Sequence, residues 1–290
     1  RNTFTMDEKY SKAVIKAIVQ LYKDGLIYKS YRLVNWCPVS QSVISDEEVN
    51  PEERNGNLWH IRYLVEGNPG EYVVVATTRP ETLFGDLALA VNPNDERYGH
   101  LVGKNVVVPL CNRVIPVIAD NYVEKDFGTG VVKITPAHDM NDFEVGKRHS
   151  LGLLNVMNPD ATLNDKVPSA YQGLDRFVAR KKLIAELESI GQLDKITPHK
   201  LVIGISERGN VPIEYYLSEQ WYIKMDQLAQ MALDSTRNKK LKLIPAHQEK
   251  VWEHWLTNIQ DWCISRQLWW GHRLPFYTCT KCEHIHCAES

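Results

Sequence analysis

Apolar and polar positions follow two rhythms along the chain. In the first, Tyr10, Val14, Ala17, Ile18 and Leu21 recur at helical spacing. Thr5 and Glu8 ahead of them have capping-box spacing, and Gly25 behind them is a natural helix stop. From about residue 57 short β-rich runs take over: Tyr72–Ala76, Val106–Val108, Val114–Ile118 and Val131–Ile134, separated by Gly, Pro, Asn and Asp. Continuous apolar runs of that length suit strands buried on both faces, as in a closed or nearly closed barrel. Helices are expected to start near Asp139 and to span about Asp175 to Ile190, the latter with Phe177, Ile184 and Leu187 on one side. Further strands are expected around Leu201–Ile203 and Tyr215–Tyr216. Val251, Trp252, Trp255, Ile259 and Trp262 then form an aromatic stripe that reads as a core-facing helix. The fold class expected is therefore α+β: a β-barrel domain at 57–212, a helical segment and linker at 1–56, and a return segment at 213–290.

Bulk properties narrow the class. The chain has 290 residues, 43% apolar and 24% charged, as in water-soluble globular proteins, and it lacks the roughly 18 unbroken apolar residues of a membrane span. Its ends, at Arg1 and Ser290 beside a cysteine cluster, suggest a piece of a longer polypeptide. A net charge of −2 neither favours nor excludes an RNA partner. The short basic runs Arg180-Lys181-Lys182 and Arg237-Asn238-Lys239-Lys240 read as solvated helix or loop rather than RNA contacts. Six cysteines, three of them in the last dozen residues, do not make a secreted disulfide framework, and a reducing, cytoplasmic setting fits better.

Two segments concentrate polar chemistry. Thr77-Thr78-Arg79-Pro80-Glu81-Thr82 leaves the end of a buried strand; Pro80 has no N–H, so the ladder should stop nearby. The second runs from Asp126 to Phe143. In it Lys133 and Thr135 share one strand face, and Asp139 and Asp142 share the first turn of a helix, where either could be only a cap. Paired carboxylates suit an ammonium group, while hydroxyls with a lysine suit a small polar side chain or a developing oxyanion; an aminoacyl ester presents both. No serine–histidine–acid set is apparent, and His138 and His149 read as surface or cap residues. Attack by a positioned water is the expected chemistry. Gly128-Thr129-Gly130 is weak evidence for a nucleotide loop, because a third glycine and an acidic partner are missing.

The chain resembles the valyl-tRNA synthetases, specifically their inserted editing domain and its flanks. The stretches that carry the resemblance are LVNWCP at 33–38, SDEEV at 45–49, ATTRPETLFGD at 76–86, GTGVVKITPAHDMNDFEVGKRH at 128–149 and DWCISRQLWWGHRLP at 261–275. The resemblance implies post-transfer editing: hydrolysis of threonine wrongly esterified to the valine tRNA. It places Thr77, Thr78, Arg79, Phe127, Lys133, Thr135, Asp139 and Asp142 in the substrate pocket. Within that set Asp142 would anchor the α-ammonium group, Lys133, Thr135 and Asp139 would surround the threonine hydroxyl, and Thr78 would place ester and water. Lys133, Asp142 and Thr78 are the catalytic candidates. Threonine and valine are nearly isosteric, so an apolar synthetic pocket rejects the extra hydroxyl only weakly, whereas a second site built of polar groups can reward it.

The implied partners are the tRNA(Val) 3′ end and a threonine or valine aminoacyl ester, with no membrane and a monomeric state. Editing would need no cofactor; ATP and Mg would serve the full-length enzyme. The HIGH-type and KMSKS-type motifs are absent from these residues, so the chain alone should neither activate valine nor charge tRNA. Cys279 and Cys282 form a C-x-x-C that could be half of a zinc knuckle, could complete a local site with Cys287 or a histidine, or could stay unmetallated. Cys37 and Cys111 have no partner spacing and read as structural. Two other readings compete. A passive tRNA-end-binding module is disfavoured by the acids beside Lys133, which would repel a phosphate backbone. A free-standing editing hydrolase is disfavoured by the DWCISRQLWWGHRLP tail.

Overall fold

The computed structural model describes residues 2–289, and the chain ends at Arg1 and Ser290 lie outside the described residues. In chain order the regular elements open with α1 (Glu8–Lys23), β1 (Ile27–Cys37), β2 (Ser42–Val43), β3 (Val49–Val65) and β4 (Asn68–Thr77). Next come β5 (Ala88–Val91), β6 (Asn105–Val107), β7 (Val114–Ala119), β8 (Val131–Ile134), α2 (Met140–His149) and α3 (Arg176–Ser189). The last are β9 (Leu193–Ser206), β10 (Glu214–Ile223), α4 (Asp226–Arg237), α5 (Gln248–Thr257), β11 (Trp262–Cys263), β12 (Phe276–Thr278) and β13 (Ile285–Cys287).

The chain divides into two compact units, one spanning Leu33–Ser218 and the other joining the residues before Leu33 to those after Ser218. The first unit holds a seven-stranded sheet in the order β4-β3-β6-β7-β5-β8, with β9 also paired to β3. The sheet curls into a half-barrel. All neighbours in it are antiparallel except β5 and β7, which run parallel from Leu89–Val117 to Val91–Ala119. Its concave side is filled by Ile61, Tyr63, Val75, Leu83, Phe84 and Leu89, and Ala179, Leu183 and Leu187 of α3 pack against them at helical spacing. The expected bound at 57 falls inside β3, whose ladder with β9 runs from Val49–Ser206 to Ile61–Leu193, whereas 212 lies past the end of β9.

The expected strands lie at β4, β6, β7, β8, β9 and β10, and the helices at α1, α2 and α3 lie where periodicity places them. β1, β2, β3, β5, β11, β12, β13 and α4 were not expected, β1 lying in the segment expected to be helical. Asp139 and Asp175 are the N-caps of α2 and α3, and each accepts two backbone N–H groups. Three expectations need correction. The Thr5–Glu8 capping box does not form, because the Phe4 N–H turns onto Asp7 Oδ2 at 3.1 Å and α1 starts only at Glu8. Phe177 does not face inward on α3, since the core-facing positions are Arg176, Ala179, Leu183 and Leu187. The aromatic stripe after 250 is not a core helix: α5 ends at Thr257, none of its residues is buried, and Trp262 lies exposed in β11. No helix among the described residues is long and apolar enough to cross a membrane.

Candidate functional site

Thr77 closes β4, and its Oγ1 accepts the Arg79 N–H at 3.0 Å, which turns the chain out of the ladder. Pro80 then starts a short 3₁₀ turn, Pro80–Gly85, in which every residue is buried. Arg79, expected in the substrate pocket, is spent on the protein itself. Its guanidinium donates to Glu81 at 3.2 Å, to the His138 carbonyl at 3.1 Å and to Glu214. Glu81 in turn accepts both Arg180 donors at 2.7 and 2.8 Å, and Glu214 also takes Arg176. Burial disfavours the Glu81 charge, but Arg180 and Arg79 outweigh it and hold the carboxyl down at about 2. Glu81, Glu214, Arg176 and Arg180 were not among the expected site residues. The partners of the turn come from α3 and β10, so no local spacing reveals them.

Lys133 sits at the centre of a second network. Its ammonium donates to Thr82 Oγ1 at 2.8 Å, Asp86 Oδ1 at 2.9 Å and Thr135 Oγ1 at 2.5 Å, which uses all three of its protons. Thr135 Oγ1 donates to Asp86 Oδ1 at 2.7 Å, and Tyr63 donates to Asp86 Oδ2 at 2.6 Å. Asp86 is wholly buried and supplies the counter-charge that permits a lysine inside the half-barrel. The sequence signal for Asp86 was its place at the end of ATTRPETLFGD, and without it the buried lysine has no counter-charge among the described residues.

The start of α2 adds the acids. Asp139 accepts the N–H groups of Asn141 and Asp142 at 2.8 and 3.1 Å, so it is a cap as well as a candidate. Asp142 is buried and accepts the Thr135 N–H at 2.8 Å. Burial pushes its carboxyl up to about 7, the Asp139 charge adds repulsion, and Lys133 opposes both. His138 is not a surface residue: it is 2% exposed, and its Nε2 accepts the Val156 N–H at 3.0 Å. Its Nδ1 must then carry the ring proton, and it has no hydrogen-bond partner among the described residues. Burial, with Arg79 and Lys133 nearby, pushes its pKa down to about 3, so the ring is neutral.

The structure thus brings the two expected segments together, through Arg79 to His138 and Lys133 to Thr82. They do not all share one opening. A cavity of about 630 Å³ is lined by Thr78, Arg79, Glu81, Trp59, Glu214 and Tyr215, among others, whereas Thr77, Lys133, Thr135, Asp139 and Asp142 are outside its wall. Phe127 is exposed and edges onto His199 with ring centroids 6.5 Å apart. Its loop lies on β4: a Cβ on Gly128 would come 3.3 Å from the Ala76 Cβ. Gly130, with φ of +76°, is packed so that a Cβ would meet the Lys125 carbonyl at 2.9 Å, which explains the glycine without a nucleotide.

Comparison with known proteins decides the family. The family described as tRNA synthetases class I (I, L, M and V) matches residues 1–290. The chain belongs to the class I tRNA synthetases. It is 54% identical to a valine–tRNA ligase of Geobacter sulfurreducens over 289 residues, covering 100% of this chain and 32% of that protein. The corresponding ligase of Clostridium perfringens is 54% identical over 285 residues (98% of this chain, 32% of that protein), and that of Francisella tularensis 53% over 275 residues (95% and 30%). This synthetase chain therefore spans about a third of the length of the curated relatives it matches. A crystal structure of the ternary complex of Agrobacterium radiobacter agnB2 LeuRS, tRNA and LeuAMS superimposes with a TM-score of 0.40 and 21% identity, over 98% of this chain and 37% of that one.

Against zinc, the synthetase chain offers two thiols. Cys279 and Cys282 are both exposed on the turn that joins β12 to β13, and the Cys279 N–H closes that turn onto the His284 carbonyl at 2.9 Å. Backbone N–H groups of Lys281 and Cys282, and the Cys282 thiol, draw the Cys279 thiol below its usual range. Among the described residues no group of three or more His, Cys, Asp or Glu side chains is gathered for a metal. The pair supplies half of a tetrahedral site.

Proposed function

We propose that this chain is the editing part of a valine–tRNA ligase and hydrolyses threonine from Thr-tRNA(Val). The observation that carries the reading is the buried Asp142 carboxyl, poised at about 7 and one hydrogen bond from Thr135, which is itself tied to Lys133 and Asp86. A carboxyl held there by burial becomes a carboxylate when an α-ammonium group arrives, because the cation favours the charged form. The threonine hydroxyl then displaces one of the hydrogen bonds that Lys133, Thr82, Thr135 and Asp86 make to one another and replaces it by accepting and donating. Valine, with a methyl in that place, leaves one of those groups unpaired, at about 1–3 kcal/mol. Attack by water needs no side-chain nucleophile. Thr78, on the cavity wall, orients the ester carbonyl and the attacking water, and orientation supplies the acceleration. Charging of tRNA, with ATP and Mg, belongs to the longer protein, as does any zinc held with Cys279 and Cys282.

The test is deacylation of Thr-tRNA(Val), Val-tRNA(Val) and a mischarged isoleucine tRNA by the wild type, Lys133→Ala and Asp142→Ala. Threonine should be released by the wild type alone, and valine spared. Equal release by both variants would overturn the site. Binding of tRNA with no release by the wild type would leave a passive end-binding module instead.

A further inference from the structure

Water attack on an ester puts negative charge on the carbonyl oxygen, and the donors named so far are already committed. Lys133 gives its three protons to Thr82, Asp86 and Thr135. Each arginine on the wall of the cavity beside Thr78 is tied to a carboxylate: Arg79 to Glu81 and Glu214, Arg176 to Glu214, Arg180 to Glu81 and Arg54 to Glu52. Only two side chains on that wall carry a hydroxyl, Thr78 and Tyr215. The Tyr215 hydroxyl makes no hydrogen bond among the described residues.

The place of Tyr215 is fixed from two sides. Glu214, the residue before it, binds Arg79 of the TTRPET turn and Arg176 of α3, so the start of β10 is tied to the turn that carries Thr78. Side chains alternate along a strand, and Tyr215 shares its face with Leu217. The half-buried Tyr215 ring packs with Leu217, Leu33 and Ala137, and Ala137 lies two residues before Asp139. Tyr216, on the opposite face, lies against Trp36 with ring centroids 5.0 Å apart. Tyr215 therefore stands between the two polar segments, with its ring held and its hydroxyl unspent. Burial and the Asp139 charge push its phenol above the ordinary range while Arg79 opposes them, so it keeps its proton at neutral pH.

We propose that the Tyr215 hydroxyl donates a hydrogen bond to the carbonyl oxygen of the aminoacyl ester as charge develops on it. Attack joins the water oxygen to the ester carbon, moves the C=O π pair onto the carbonyl oxygen and releases one water proton to the solvent. Collapse returns that pair and breaks the bond to the ribose oxygen, which takes a proton from the solvent. Tyr215 keeps its own proton throughout. A neutral phenol needs no counter-ion in the resting site, whereas a further lysine there would need another acid beside it. This role rests on the editing reading, since it is the ester that supplies the oxyanion.

The test uses the whole chain with Tyr215→Phe, which keeps the ring and loses the hydroxyl, and Tyr216→Phe as control. Tyr215→Phe should lower kcat for release of threonine from Thr-tRNA(Val) by about a hundredfold, the usual cost of losing one oxyanion donor. KM should be unchanged, as for a contact made only in the transition state. Tyr216→Phe should change neither. Two adenosine probes are then titrated by calorimetry: one carries threonine in a planar amide, the other a tetrahedral phosphonate in place of the carbonyl. Tyr215→Phe should bind the amide as the wild type does and the phosphonate about tenfold more weakly. A merely structural tyrosine would move both together. The proposal is overturned if Tyr215→Phe keeps the wild-type kcat, if the loss lies in KM, if Tyr216→Phe loses as much, or if the two probes weaken alike. Full hydrolysis by Tyr215→Phe sinks the donor and spares the editing reading. A wild type that releases no threonine, but whose affinity for the phosphonate alone drops in Tyr215→Phe, does the reverse.

Discussion

Asp142 and His138 flank the start of α2, and burial moves their protons in opposite senses. The folded chain keeps a proton on Asp142 up to about pH 7, whereas an unfolded aspartate releases it near 3.8, so this group makes stability fall as pH rises through that window. His138 refuses in the fold a proton that the unfolded ring takes up below 6.5, so its contribution is lost as pH drops from 6.5 towards about 3. Where the windows overlap, the two slopes offset one another. Asp142→Asn removes one of them and keeps the neutral shape. Its stability should then fall on acidification from pH 6.5 to 4 more steeply than that of the wild type, by up to about 1.4 kcal/mol per pH unit. Urea midpoints across that range read it directly, and parallel wild-type and Asp142→Asn curves would mean that Asp142 is ionised in the fold. At this scale sequence reasoning singled out Asp142 without reading its burial and took His138 for a surface or cap residue, because a side chain's burial is decided by what packs on it.

Among the elements, α2 shows how one residue can serve stability and chemistry together. Asp139 caps the helix through two N–H groups, and its charge also raises the Asp142 carboxyl. The two roles separate by substitution. Asp139→Ala should cost about 1 kcal/mol of unfolding free energy, while Asp139→Asn, which keeps an acceptor at the cap, should cost less than half of that. Equal losses in chemical denaturation would assign the effect to charge and not to capping. The helix itself was legible, as was α3, because an Asp cap and the spacing of apolar positions are local. The first half of β3 was not. Residues 50–57 read NPEERNGN, polar throughout, and become strand only because β9 pairs with them from Val49–Ser206 onward. β5 escaped notice for a related reason: Ala88–Val91 is four apolar residues between loops, and it is a strand by virtue of β7 on one side and β8 on the other.

Over the whole molecule the two units differ in how they are built. Leu33–Ser218 holds the large core around Tyr63, Leu83 and Phe84, while α5 in the other unit buries no residue at all. Slow amide exchange should therefore be confined to the first unit, with β8 and the centre of β3 slowest and α5 close to free exchange. Protection of α5 equal to that of β8 would contradict this assignment. The family resemblance, α1, α2 and α3, the six strands β4 and β6 to β10, and the roster of polar candidates were present in the linear chain. Each depends on identity or spacing over a few residues, which is the range that backbone geometry and helix or strand period impose. The counter-ions were decided by the tertiary structure alone. Lys133 finds Asp86 across 47 residues, Arg180 finds Glu81 across 99, and Arg79 finds Glu214 across 135. A buried charge must be paired, but which acid pairs it depends on how the sheet curls and where α3 docks, and no local pattern carries that information.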